Sequence, residues 1–152
     1  MLLFLLSLAS AERHLEEQNL IVRYRWESLP TVKICPDSDL TKDEVMMAIH
    51  YWTGVTESKV VRSVRHVQTC AFDEVETIYV SSQFVSSNVS ELANTRVHWY
   101  YYESEPNKKY IDTAHIKIPT GLAYQRKAVI LHEFGHALGF GHSQHPIMKS
   151  ML

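Results

Sequence analysis

The residues able to do chemistry are concentrated in "HEFGHALGFGH", residues 132–142, where three histidines and one glutamate share eleven positions. His132 and His136 are four apart, so on a helix both rings leave one face, about 6 Å apart along the axis. Imidazole nitrogens on neighbouring turns can converge on one ion at about 2.0–2.1 Å. Two ligands hold zinc poorly; a catalytic site has three and keeps a fourth position open for water. Gly139 can break the helix, and a chain that turns sharply there can swing His142 back to the ion. Residues 134–152 contain no Asp or Glu, so the third ligand falls to His142 or His145, and the glycine turn favours His142. Glu133 adjoins the first ligand and can accept a proton from water on the metal. The bland alternative is an amphipathic helix with satisfied polar side chains, and it leaves Gly139 and His142 to coincidence.

These residues match the HExxHxxGxxH motif of the metzincin zinc endopeptidases at every fixed position, and the chain resembles that family. Ser143, directly after the motif, is similar to the matrixins in particular. Met148, in "HPIMKS", looks like the methionine of the turn that metzincins carry beneath their zinc. The resemblance implies one catalytic Zn²⁺ held by His132, His136 and His142, with Glu133 as general base and Met148 as the floor. It also implies a protein or peptide substrate laid along an antiparallel edge strand, here Thr95–Ser104. The chain departs from the family pattern: Met148 follows His142 by six residues, a short interval for a matrixin, and Lys149 stands where some metzincins have a metal-assisting tyrosine. No cysteine-switch segment and no Gly- and Asp-rich loop for structural zinc or calcium is evident, and only a minimal C-terminal subdomain is expected.

The elements that must position this cluster can be read upstream of it. "TVKIC", Thr31–Cys35, alternates apolar with other residues and stops at Pro36-Asp37, as a strand does. Thr41 and Glu44 form a capping box. The helix they start carries Val45, Met46, Ile49 and Trp52 at helical spacing and is expected to stop near Gly54. Strands are expected at Val60–Val67 and Glu76–Val80, and two more in "RVHWYYES" and "YIDTAHIKIP", joined around Pro106-Asn107. Ser81–Thr95 is a polar connection with one glycosylation sequon at Asn88. Gly121 begins the last helical stretch, which must end near Gly139, a residue suited to a left-handed cap. Strand–helix–strand order implies a right-handed crossover with parallel pairing, and the closing strand pair implies an antiparallel edge. The expected fold is therefore α+β (mixed α/β): a twisted mixed sheet of about five strands with one antiparallel edge strand, packed by two main helices.

Composition limits the remaining options. The 152 residues suit one domain, and 45% hydrophobic with 21% charged residues is ordinary for a globular protein. A net charge of −2 with no basic run gives no case for nucleic acid or an anionic membrane, and a monomer is expected. No segment reaches the roughly 18 apolar residues of a membrane span. "MLLFLLSLASA", residues 1–11, reads as a signal peptide with a small-x-small cleavage site at Ala9-Ser10-Ala11, although its start carries no Lys or Arg. The expected organisation is thus residues 1–11 as leader and 12–152 as one secreted catalytic domain. Export makes Cys35 and Cys70 a disulfide pair; two buried thiols are the alternative.

His14, His50, His66, His98 and His115 are isolated and read as structural or solvated, while His145 could approach the cleft. Trp99, Tyr100, Tyr101 and Tyr102 read as strand packing rather than a base-stacking platform. The function expected is zinc-dependent hydrolysis of peptide bonds. One rival is a secreted, zinc-binding but inactive domain, which Glu133 argues against because zinc retention does not require that carboxylate. The other is a disulfide-linked interaction module without metal.

Overall fold

The computed structural model describes residues 11–82 and 93–150. Residues 1–10 of the expected leader and the sequon at Asn88 lie outside them. After a helical segment over residues 11–17, the elements in chain order are β1 (Thr31–Ile34), α1 (Lys42–Thr56), β2 (Ser63–His66), β3 (Thr77–Ser81), β4 (Asn94–Tyr100), β5 (Tyr110–Lys117) and α2 (Arg126–Ala137). The strands form one sheet in the order β2-β1-β3-β5-β4. All neighbours are parallel except β4 and β5, so β4 is an antiparallel edge.

Side-chain alternation sets what each face of this sheet does. Val32, Ile78, Ala114 and Val97 are in register, as are Ile34, Val80, Ile116 and Thr95. This apolar face lies in the same buried cluster as Val45, Ile49 and Trp52 of α1 and Ile130 and Phe134 of α2. Fully burying each such side chain is worth about 1.5–3 kcal/mol. The odd-numbered positions, Lys33, Tyr79 and His115, also share a register and point the other way. The loop 67–76 covers them. Phe72 stacks on Tyr79 and His115 with ring centroids 5.1 and 4.5 Å away, Glu74 pairs with Lys33, and the Glu74 N–H donates to the Tyr79 hydroxyl at 3.1 Å. The Cys35–Cys70 disulfide ties this loop to the end of β1, a cross-link of the kind that typically contributes about 2–4 kcal/mol.

Helix α1 begins with the Thr41–Glu44 capping box, but it runs past Gly54 and ends where Glu57 turns left-handed, at φ 56°. Nothing crowds Gly54, so the helix continues through it. Helix α2 starts at Arg126 rather than Gly121, because Gln125 holds a left-handed conformation with φ 51°. Gly121 instead takes a turn at φ +79° and donates its N–H to Asp39 at 2.8 Å. Glu44 caps α1 and also receives Arg126 Nε at 2.6 Å, locking the two helix starts together. Strand β4 stops at Tyr100, short of Ser104. Trp99, Tyr100, Tyr101 and Tyr102 are exposed and lean on one another, on Tyr24 and on Tyr110, at the end of the β4–β5 pair.

His115 gives the fold a pH dependence. Burial, then the Lys117 charge, pushes its pKa from the ordinary 6.5 down to about 4, while Ser81 Oγ lies 2.6 Å from its Nε2. The unfolded chain therefore binds the extra proton first. The stability this ring contributes is complete above about pH 6.5 and is lost as pH falls toward about 4, by up to about 3 kcal/mol. Thermal midpoints of metal-free protein should fall across that window and fall less steeply in His115→Gln. Equal slopes for the two proteins would refute the assignment.

Candidate metal centre

Helix α2 presents its four central residues from a buried surface. His132 and His136 sit one turn apart, and their Nε2 atoms stand 3.0 Å from each other. His142 Nε2 lies 3.2 Å from His136 Nε2, and one nitrogen from each of the three rings lies within 4.8 Å of the others, a group able to hold a metal ion. His145 is not part of it. Its ring stacks on Trp52 at 5.6 Å, and its Nδ1 accepts the Ile147 N–H at 3.2 Å.

The outer nitrogens fix which proton each ring carries. His132 Nδ1 lies 2.6 Å from the Ile147 carbonyl and His136 Nδ1 lies 2.8 Å from the Phe140 carbonyl. A carbonyl only accepts, so both Nδ1 atoms carry the hydrogen and both Nε2 atoms present lone pairs. Two lone pairs 3.0 Å apart cannot hydrogen-bond to each other; a cation between them turns repulsion into ligation. Tetrahedral ligands at about 2.0–2.1 Å from one ion stand about 3.3–3.4 Å apart, close to what is seen. Burial also lowers the pKa of His136 to about 4 and lowers that of His142, which keeps these two rings neutral as ligation requires. The donor set fits a zinc-type ion.

A glycine turn delivers His142. The Gly139 N–H donates to His136 O at 3.0 Å and the Phe140 N–H to Gly135 O at 2.9 Å, a Schellman ending with Gly139 at φ +109°. A Cβ on Gly139 would meet Tyr24 O at 2.1 Å. Residues 21–24 clamp the turn: the N–H groups of Arg23 and Tyr24 donate to Gly139 O at 2.8 and 3.1 Å, and the Gly141 N–H donates to Ile21 O at 2.9 Å. Nothing local in "IVRY" announces this contact, which depends on a pairing more than a hundred residues away in sequence.

Beneath the histidines the chain makes a second turn. The Ser143 N–H donates to Met148 O and the Met148 N–H to His145 O, both at 2.9 Å. This turn aims the Ile147 carbonyl at His132 and buries Met148 fully. The Met148 Sδ occupies the space beside Gly135: a Cβ there would lie 2.4 Å from the sulfur and 2.7 Å from the Trp52 ring. Gly135 is therefore required for close approach, a role that a glycine inside a helix could have signalled. Trp52 completes the floor, donating its Nε1–H to Leu131 O at 2.9 Å and stacking on Phe140.

Glu133, only 7% exposed, follows His132 on α2. Its Oε2 receives the Thr95 hydroxyl at 2.6 Å. Thr95 lies on β4, opposite Ile116, on the helix-facing side of the sheet. Sequence reasoning placed Thr95 only as the start of an edge strand. Of the isolated histidines, His50, His66 and His98 are exposed, and His14 contacts the Val55 carbonyl at 2.8 Å.

No protein family matches the chain by its sequence, and no curated protein does. Among solved structures it is similar to high choriolytic enzyme 1, a hatching enzyme zinc-protease from the medaka fish Oryzias latipes, at 19% identity and a TM-score of 0.39. The likeness covers 78% of this chain and 49% of that one, so this chain spans about half of its length.

Proposed function

We propose that this chain is a zinc-dependent endopeptidase of metzincin type, hydrolysing peptide bonds of proteins through water activated at the three histidines. One observation carries the reading: the Nε2 atoms of His132 and His142 lie 3.0 and 3.2 Å from that of His136, in a three-histidine group able to hold a metal ion, and the next residue after His132 is the buried Glu133. His132, His136 and His142 would hold the ion, and Ile147 and Phe140 would orient the first two rings. Zinc bound there supplies Lewis acidity, lowering the pKa of water toward about 7 and polarising the scissile carbonyl. Glu133 would serve as the proton carrier, accepting a proton from the attacking water and giving it to the departing amine, so that one water is divided between the two new ends. Edge strand β4 offers backbone donors and acceptors along which an extended peptide can lie. Met148 and Gly139 have no part in the chemistry; one floors the site and the other returns His142 to it.

The matrixin likeness belongs to this proposal and rests on Ser143 alone. Its observed work is local, because its N–H holds Met148 O and its hydroxyl accepts the His145 N–H at 3.2 Å. Export belongs to the same reading, and the Cys35–Cys70 disulfide supports it; residues 1–11 would then be the leader and 12–152 the catalytic domain. A mixed peptide library incubated with zinc-loaded protein tests the reading. Cleavage that stops on chelation and returns with zinc is expected. Zinc-loaded protein that cleaves nothing would overturn it and leave a zinc-binding domain without hydrolytic activity.

A further inference from the structure

We propose that Thr95 is a positioning residue for Glu133, holding its carboxylate through Oε2 so that proton transfer falls to Oε1. This deepens the endopeptidase reading and rests on it. The Oγ1–Oε2 separation of 2.6 Å is that of a short, well-formed O–H···O bond, while the same hydroxyl stands 3.1 Å from the Glu133 backbone carbonyl. A hydroxyl has one hydrogen, and the nearer oxygen, Oε2, takes it. The sheet register makes the contact possible. Thr95 pairs with Ile116, whose neighbour is Val80, and all three side chains face the helices. A residue earlier or later on β4 would point away from α2.

The placement has a mechanistic consequence. A glutamate side chain has three rotatable bonds, and a base that wanders by about 1 Å loses much of its rate advantage. Fixing one oxygen to the sheet removes that freedom in a site that is already buried. The anchor also sits on the strand along which substrate would lie, so the base and the peptide are registered to the same element.

The same hydroxyl ties β4 to α2, so the test must separate positioning from simple attachment. Thr95→Val keeps the β-branched shape and removes the donor; Thr95→Ser restores the donor on a smaller side chain. With zinc content and thermal midpoint measured alongside, Thr95→Val should lower kcat about ten- to a hundredfold with little change in KM, and Thr95→Ser should recover most of it. A second readout needs no activity. In metal-free protein labelled with carboxyl-¹³C glutamate, the Glu133 resonance, identified by its loss in Glu133→Gln, should move in Thr95→Val and stay near its place in Thr95→Ser. Wild-type kcat in Thr95→Val, or an unmoved resonance, would overturn the positioning role and leave the endopeptidase reading standing. A loss that Thr95→Ser does not recover, or one confined to KM and thermal midpoint, would show attachment only and overturn it as well. Wild-type protein that hydrolyses nothing would remove the endopeptidase reading and this role together.

Discussion

Glu133→Ala should retain about one zinc per chain and lose about 10²–10⁴ in kcat. Retention follows from the geometry: the three ring nitrogens that cluster together belong to His132, His136 and His142, and no oxygen of Glu133 is among them. The rate loss follows from the chemistry. The attacking water still has to give up a proton, and the leaving amine still has to gain one; among the described residues Glu133 is the buried carboxylate that could carry it. The upper part of that range is expected because one group serves both steps. Glu133→Gln should lose nearly as much, since an amide still accepts the Thr95 hydroxyl yet cannot take the proton. Wild-type and variant proteins at matched zinc content, assayed on one peptide library, give the comparison. Equal rates would mean that Glu133 is not the base.

The parts of this molecule that could be read from sequence are those written in local spacing. The four-residue spacing of His132 and His136, a glycine before His142 and a Thr–Glu pair before a helix each act within one or two turns of chain. The parts that could not be read are contacts between distant segments. Thr95 meets Glu133 only because the β4–β5 register puts it on the helix side of the sheet. Residues 21–24 hold the glycine turn through backbone bonds that leave no trace in side-chain type. Helix ends show the same division. The α1 start was legible in its capping box, whereas both α1's end at Glu57 and α2's start after Gln125 use left-handed residues that are not glycine. At exposed positions such conformations carry no strong sequence signature. The aromatic run 99–102 was expected to pack within the strand. It lies instead half in solvent, its rings braced against one another and two of its hydroxyls on Glu27, because β4 ends at Tyr100 and is the edge of the sheet among the described residues.

His142→Ala should weaken zinc binding more than about a hundredfold, whereas His145→Ala should weaken it about tenfold or less. Removing His142 leaves two ligands where a catalytic site needs three. Its ring is exposed, so no cavity forms, and the thermal midpoint of the metal-free protein should stay near that of wild type. His145 is buried, with its ring against Trp52 and Tyr51 and its Nδ1 holding the Ile147 N–H. Truncating it opens a void beside Trp52 and should cost about 2–3 kcal/mol of stability. Its effect on the metal is indirect: Ile147, whose N–H it holds, offers the carbonyl that orients His132. The two substitutions should therefore separate cleanly, one lowering affinity without stability and the other lowering stability with little change in affinity. Competition with a chromogenic zinc chelator and thermal melts of chelated protein measure the two quantities independently. If affinity collapses in His145→Ala and survives in His142→Ala, the third ligand is His145, the turn at Gly139 serves another purpose, and the site must rearrange on binding its ion.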